Sequence, residues 1–142
     1  MAGPAVALPD NAPHLLVVDD DPNGADMVRQ LLEGESCTVD VARDGREALR
    51  AIAERPPDAV LLDLLMPGLD GFAVLEQLQA DPGRRDIPVI VLTAKELTHE
   101  ESALLERRTL AVVEKRGLER NALLQEVRRA LSAVRQPEPE KR

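Results

Sequence analysis

The 142-residue sequence predicts an α/β fold: a parallel sheet with helices packed on both faces. Three observations point there. Short aliphatic runs alternate with helical stretches along the chain. Most runs are apolar at every position, which suits strands covered on both sides. The connections are short and rich in Asp, Pro and Gly, so successive βα units pack next to one another.

The first run is Leu15-Leu16-Val17-Val18. Asp21-Pro22 then supplies an N-cap and a proline at the first helical position. Val28, Leu31 and Leu32 form the inner face of that helix, and Gly34 ends it. Thr38 to Ala42 alternates polar and apolar residues, as expected of a strand at the sheet edge. Asp44 caps a second helix with Leu49, Ile52 and Ala53 inward, stopped by Pro56-Pro57. Ala59-Val60-Leu61-Leu62 is the next run. Asp70 caps a third helix with Val74, Leu75 and Leu78 inward, stopped at Pro82-Gly83. Val89-Ile90-Val91-Leu92 precedes a fourth helix, where Thr98 and Glu101 match a capping box. Leu110-Ala111-Val112-Val113 precedes the last helix, striped by Leu124, Val127, Leu131 and Val134. Residues 1–13, with Pro4, Pro9 and Pro13, read as a flexible leader, residues 14–135 as one domain and residues 136–142 as a polar tail. By this division no residues remain for an output domain.

A net charge of −8 disfavours direct binding to nucleic-acid phosphates. No stretch is apolar enough to span a bilayer. The N-terminus lacks the basic and apolar regions of a signal peptide, and a cytoplasmic location is expected. Cys37 is alone, so it forms no internal disulfide, and it reads as a small buried hydrophobe. With Phe72 the only aromatic residue, the core is aliphatic.

Ligands of such folds bind beyond the carboxyl ends of the strands. The first run ends in Asp19-Asp20-Asp21, the third in Asp63 and the fourth in Thr93, and Glu114-Lys115 follows the fifth. One rim therefore gathers carboxylates, a hydroxyl and an ammonium. Carboxylates so placed need a cation or proton sharing, and hard oxygen donors with open positions suit Mg²⁺. A carboxylate is also a nucleophile toward phosphorus, with Lys and Thr donating to phosphoryl oxygens. Singly, Thr93 reads as a strand-end hydroxyl, Lys115 as a solvated charge, and Asp21 and Asp70 as caps. The constellation is more specific than its members.

The segments LLVVDDDP, ARDGREAL, PDAVLLDLLMPGLDGF and IPVIVLTAKEL resemble the receiver domains of two-component response regulators, over about residues 14 to 135. The resemblance implies a doubly wound, flavodoxin-like sheet of five strands in the order 2-1-3-4-5. It implies that Asp63 accepts a phosphoryl group from the phosphohistidine of a histidine kinase or histidine phosphotransfer protein. Asp20, Asp63 and the backbone carbonyl of Leu65 would bind Mg²⁺, with Asp19 acting through water. Thr93 would move toward the phosphoryl group and Lys115 would pair with it. Signalling would run through contacts with a downstream protein, or through a homodimer formed by the face of the fourth helix, fifth strand and fifth helix.

Two departures stand out. Arg116 follows the Lys where relatives usually have Pro, so this peptide bond should be trans. Val112 stands where an aromatic switch residue is usual. Both departures are shared with receivers of hybrid kinases and some stand-alone regulators. Leu65 has no group to hold an attacking water, and Lys95 is expected to reach across the rim to a phosphoryl oxygen, so the phosphorylated form should persist. Three other readings compete. A phosphatase of the haloacid dehalogenase class needs a second Asp where Leu65 stands. An FMN module would find its phosphate repelled by Asp19-Asp20-Asp21. A pseudo-receiver, a binding module not regulated by phosphorylation, would not need the full Asp19, Asp20, Asp63, Thr93 and Lys115 set. His14 and His99 read as ordinary surface histidines.

Overall fold

The structure, a computed structural model, describes residues 12–32, 35, 37–66 and 68–135. Among the described residues five strands and five helices alternate. They are β1 (His14–Val18), α1 (Pro22–Leu31), β2 (Thr38–Ala42), α2 (Gly45–Glu54), β3 (Ala59–Leu62), α3 (Gly71–Ala80), β4 (Val89–Thr93), α4 (His99–Arg108), β5 (Ala111–Glu114) and α5 (Arg120–Arg135). All strand pairs are parallel and the order is β2-β1-β3-β4-β5, as expected. The chain leaves from the central β1, winds outward to β2, then returns past β1 to β3. The turning point lies between β1 and β3, where a doubly wound sheet opens its binding crevice.

The aliphatic strands work by alternation. Leu16, Val18, Val60, Leu62, Val89 and Val91 face one side, where α2, α3 and α4 cover them with Ala48, Ile52, Val74, Leu75, Leu78 and Leu105. Leu15, Val17, Ala59, Leu61, Ile90 and Leu92 face the other, against Val28 and Leu32 of the α1 segment and Leu123, Leu124, Val127 and Ala130 of α5. A strand interior with apolar residues at every position therefore feeds two cores.

The capping signals hold. Asp21, Asp44 and Asp70 accept backbone N–H groups from Asn23, Glu47 and Ala73, and Thr98 with Glu101 closes a full capping box. Four expectations need correction. Ala53 is exposed, whereas Ala48 is buried; at 100° per residue Gly45, Ala48 and Ile52 share one side and Ala53 lies off it. Leu123 and Ala130 join the buried stripe of α5. The fifth run is not covered on both faces. β5 is an edge strand whose Val112 and Glu114 are exposed. Its aliphatic composition resembles that of the central strands, so only topology reveals the edge. Finally, His14 is buried, because it lies within β1 and pairs with Thr38 of β2. Its Nε2 is 2.6 Å from Asp40 Oδ2. His99 is exposed at the start of α4, as expected. The proposed stop at Gly34, the side chain of Val134, residues 1–11 of the leader and the tail lie outside the described residues.

Cys37 is half-buried and free. Burial first, and Glu35 second, push its thiol pKa up. That is opposite to the shift a reactive thiol needs. No helix among the described residues is long and apolar enough to cross a membrane.

Ile52 is 1% exposed at the centre of the contact between α2 and the sheet. Ile52→Ala should therefore cost about 2–5 kcal/mol, as expected for truncating a buried aliphatic chain. Urea denaturation should show a lower midpoint at an unchanged slope. A loss below about 1 kcal/mol would show that this face of the sheet is sealed without Ile52.

Candidate functional site

Parallel pairing fixes which residues meet at the rim. Val18 pairs with Ala42 and with Leu62, so the residues that follow, Asp19 and Asp63, leave neighbouring strands at the same level. Asp19 N–H donates to Ala42 O and Asp63 N–H to Val18 O, both at 3.0 Å, so the ladder extends through both aspartates. On the other side Lys115 N–H donates to Thr93 O at 2.8 Å, extending the β4–β5 pairing to the lysine.

Asp19 is 3% exposed and Asp63 6% exposed, whereas Asp20 is open to solvent. One carboxylate oxygen from each of Asp19, Asp20 and Asp63 lies within 4.8 Å of the others. Lys115 Nζ reaches across the end of β4 to within 2.7 Å of Asp19 Oδ2 and 3.4 Å of Asp63 Oδ2. The expected partner of Lys115 was a phosphoryl oxygen; here its ammonium answers two carboxylates, the closer being Asp19. The second oxygen of Asp19 accepts Asp21 N–H at 3.0 Å, and Asp63 Oδ1 accepts Leu65 N–H at 3.1 Å.

These contacts set the charge balance. Burial pushes the Asp63 carboxyl upward and Asp19 adds to it, while the Leu65 N–H and Lys115 pull the other way without cancelling the rise. For Lys115 burial is the largest single influence and favours the neutral amine, but Asp19 and Asp63 together overcome it and raise its pKa. The lysine is thus held cationic by the carboxylates it serves.

Two close approaches build the crevice. A Cβ on Gly24 of α1 would lie 2.5 Å from Asp19 Oδ2 and 3.0 Å from Lys115 Nζ. A Cβ on Gly71 would lie 2.5 Å from Asp63 O and 2.7 Å from Leu64 Cα. Only glycine lets α1 close on the ion pair and α3 begin against the strand end that carries Asp63. The motif around Asp63 contains Gly71; no sequence pattern pointed to Gly24, whose role appears only once α1 is folded back.

Thr93 is 2% exposed and ends β4. Its Oγ1 accepts Lys95 N–H at 3.1 Å. Lys95 points along the loop in this unphosphorylated structure. Its Nζ is 2.9 Å from Glu101 Oε1, drawn toward the start of α4. Arg116 sends its guanidinium to Ala94 O at 3.3 Å, and the described residues contain no cis peptide bond, so Lys115–Arg116 is trans as expected. Leu65 is 49% exposed beside Asp63.

A doubly wound parallel sheet with a buried aspartate, two acidic neighbours and a lysine at the strand ends defines an α/β module with an acidic crevice at its strand ends. Residues 15–128 match the response regulator receiver domain, and the chain belongs to that family. The chain is 48% identical over 82 residues to the DNA-binding response regulator MtrA of Mycolicibacterium smegmatis, a match covering 58% of this chain and 35% of that protein. It is 45% identical over 93 residues to the response regulator MprA of Mycolicibacterium vanbaalenii, covering 66% of this chain and 39% of that protein. Thus the matches span little more than a third of these relatives' length. Among solved structures, the signal receiver domain of a signal transduction histidine kinase from Syntrophus aciditrophicus superposes with a TM-score of 0.79 at 31% identity, covering 92% of this chain and 98% of that one. The N-terminal domain of a response regulator receiver protein from Methanoculleus marisnigri gives 0.68 at 35% identity, covering 89% and 98%. The receiver fold and a place in two-component signalling follow. Asp19, Asp20 and Asp63 form an acidic pocket whose donors suit a hard divalent cation.

Removing the lysine tests the charge balance. Lys115→Met leaves two buried carboxylates facing each other, and breaking a buried pair costs about 3–5 kcal/mol. In metal-free buffer the urea midpoint should fall, and adding Asp63→Asn to Lys115→Met should restore part of the loss. An unchanged midpoint in the single variant would show that Lys115 does not balance the carboxylates.

Proposed function

We propose that this chain is a phosphorylation-switched receiver of a two-component phosphorelay, with Asp63 as the phosphoacceptor. The observation that carries the reading is the placement of Asp63. It is a buried carboxylate at a strand end, 3.4 Å from the Lys115 ammonium and within 4.8 Å of two further carboxylates. Such a group is oriented and has a cation beside it to meet the charge of an incoming phosphoryl group.

The donor is a phosphohistidine on a histidine kinase or phosphotransfer protein. An Asp63 oxygen forms a bond to phosphorus as the N–P bond breaks, and the imidazole nitrogen keeps the electron pair. Asp20, Asp63 and the backbone carbonyl of Leu65 are the proposed ligands of Mg²⁺, with Asp19 acting through water. When bound, the metal neutralises charge on the phosphoryl oxygens. Lys115 leaves its carboxylate partners to pair with a phosphoryl oxygen, and the Thr93 hydroxyl turns toward another. Leu65 offers no group to hold a water in line with phosphorus, so the acyl phosphate hydrolyses slowly. Output runs through protein contacts, with the edge formed by α4, β5 and α5 as the responsive face and as a surface for a homodimer.

Incubation with acetyl phosphate and Mg²⁺ should add one phosphoryl group by intact-mass measurement, and Asp63→Asn should abolish the gain. After the donor is removed, Leu65→Asn should lose the group faster than wild type. Equal uptake by Asp63→Asn would sink the assignment. The metal can be followed separately by NMR titration with Mg²⁺. Asp20→Ala should weaken binding more than Asp21→Ala, because the Asp21 side chain caps α1 through Asn23 N–H at 2.9 Å. Equal losses would place the metal elsewhere.

A further inference from the structure

The segment between β4 and α4 carries a chain of bonds that phosphoryl chemistry does not require. Thr93 Oγ1 accepts Lys95 N–H at 3.1 Å. The Lys95 side chain then turns to Glu101 Oε1 at 2.9 Å. The same oxygen accepts Thr98 N–H at 3.0 Å, and Thr98 Oγ1 accepts Glu101 N–H at 3.1 Å. One path therefore runs from the hydroxyl at the end of β4 to the first turn of α4. Beside it lies a cavity of about 90 Å³ bordered by Thr93, Ala94, Lys95, Glu96, Glu114 and Arg116. The cavity gives the loop room to move. Val112 provides no ring to swing into that space.

We propose that the Lys95–Glu101 ion pair is a clasp that holds the β4–α4 loop in its unphosphorylated arrangement and opens when Thr93 turns toward the phosphoryl group. Lys95 and Glu101 are then positioning residues of the switch. The inference rests on phosphorylation of Asp63 and adds to it how the site is coupled to α4. When Thr93 Oγ1 turns away it gives up the Lys95 N–H bonded to it, which frees the loop backbone beside the ion pair. An ion pair at 2.9 Å has little slack before the contact is lost. A restraint present in one state alone biases the equilibrium against the other, so removing it favours the phosphorylated arrangement.

This gives a sign that separates the clasp from the alternative role of Lys95, in which it reaches the phosphoryl group directly. If Lys95 binds the phosphoryl group, losing its charge weakens binding of a phosphoryl mimic. If Lys95 is a clasp, losing its charge strengthens binding. Glu101→Gln removes the charge opposite Lys95 while keeping a side chain that also closes a capping box.

The test is titration of the full chain with beryllofluoride in excess Mg²⁺, followed by amide NMR shifts, in wild type, Lys95→Met, Glu101→Gln and the double variant. Both single variants should bind the mimic about two- to fivefold more tightly, the range for a half-exposed ion pair. The double variant should bind no more tightly than either single one, because the two residues form one contact. Weaker binding by Lys95→Met, or unchanged affinity in both singles, overturns the clasp and leaves Asp63 as acceptor intact. No saturable shift at Asp63 in wild type overturns the acceptor assignment and the clasp with it.

Discussion

Asp19, Asp20 and Asp63 bring carboxylate oxygens within 4.8 Å of one another, two of the three side chains being buried, and the molecule is arranged around that repulsion. Their separation is not chosen by the side chains. It follows from parallel pairing of β1 with β3, because adjacent strands lie about 4.7–4.9 Å apart. The backbone bonds from Asp63 to Val18 and from Asp19 to Ala42 hold both aspartates on the ladder. The backbones of Asp19 and Asp63 cannot move apart without breaking the ladder. Neutralisation must come from outside the two strands, and Lys115 reaches over the end of β4 to supply it. Burial still leaves Asp63 with a raised pKa, so the site retains an unmet demand for positive charge. Three such carboxylates are hard oxygen donors of the kind that suit a divalent cation.

The two cores make this arrangement rigid. Leu62 and Leu61, adjacent in β3, point to opposite cores, and each is 1% exposed or less. A strand packed on both faces tolerates little displacement, since interiors are packed as closely as organic crystals. Asp63 therefore sits on a fixed platform. Gly71 lets α3 start against the Asp63 carbonyl, and Gly24 brings α1 against the Asp19–Lys115 pair. Any movement on phosphorylation must be taken up by the loops beyond the strands rather than by the strands themselves.

The sheet, the caps and the convergence at the rim are legible in the sequence because those features are local. An apolar run, an Asp before a helix, or a Thr-x-x-Glu box each carries its signal within a few residues. What escaped depends on partners distant along the chain. Val112 belongs to a run as aliphatic as Val89–Leu92, yet it is exposed, on the last strand of the sheet. His14 looked like a surface residue because its cover comes from Asp40 and Asp58, 26 and 44 positions away. Lys95 has the length to reach the rim, but Glu101 lies nearer along the folded path and takes its charge. Gly24 has no signature of its own, since the atoms that forbid a Cβ belong to Asp19 and Lys115.

These exceptions cluster at the side of the sheet where change can occur. β5 is half uncovered, and Arg116 leans from the following loop to the Ala94 carbonyl, in contact with the loop that holds Thr93 and Lys95. The β4–α4 loop is thus tied at three places: to Thr93 through Lys95 N–H, to α4 through Glu101, and to the β5–α5 loop through Arg116. Each tie is one hydrogen bond or a partly exposed ion pair, and such contacts are individually weak. Against them stands the charge of a phosphoryl group brought to a buried site, where electrostatic terms are larger than at the surface. Strong forces at the rigid end and weak ties at the exposed end give one outcome. On the proposed phosphorylation of Asp63, the platform stays, the ties exchange, and the surface changes at α4 and β5.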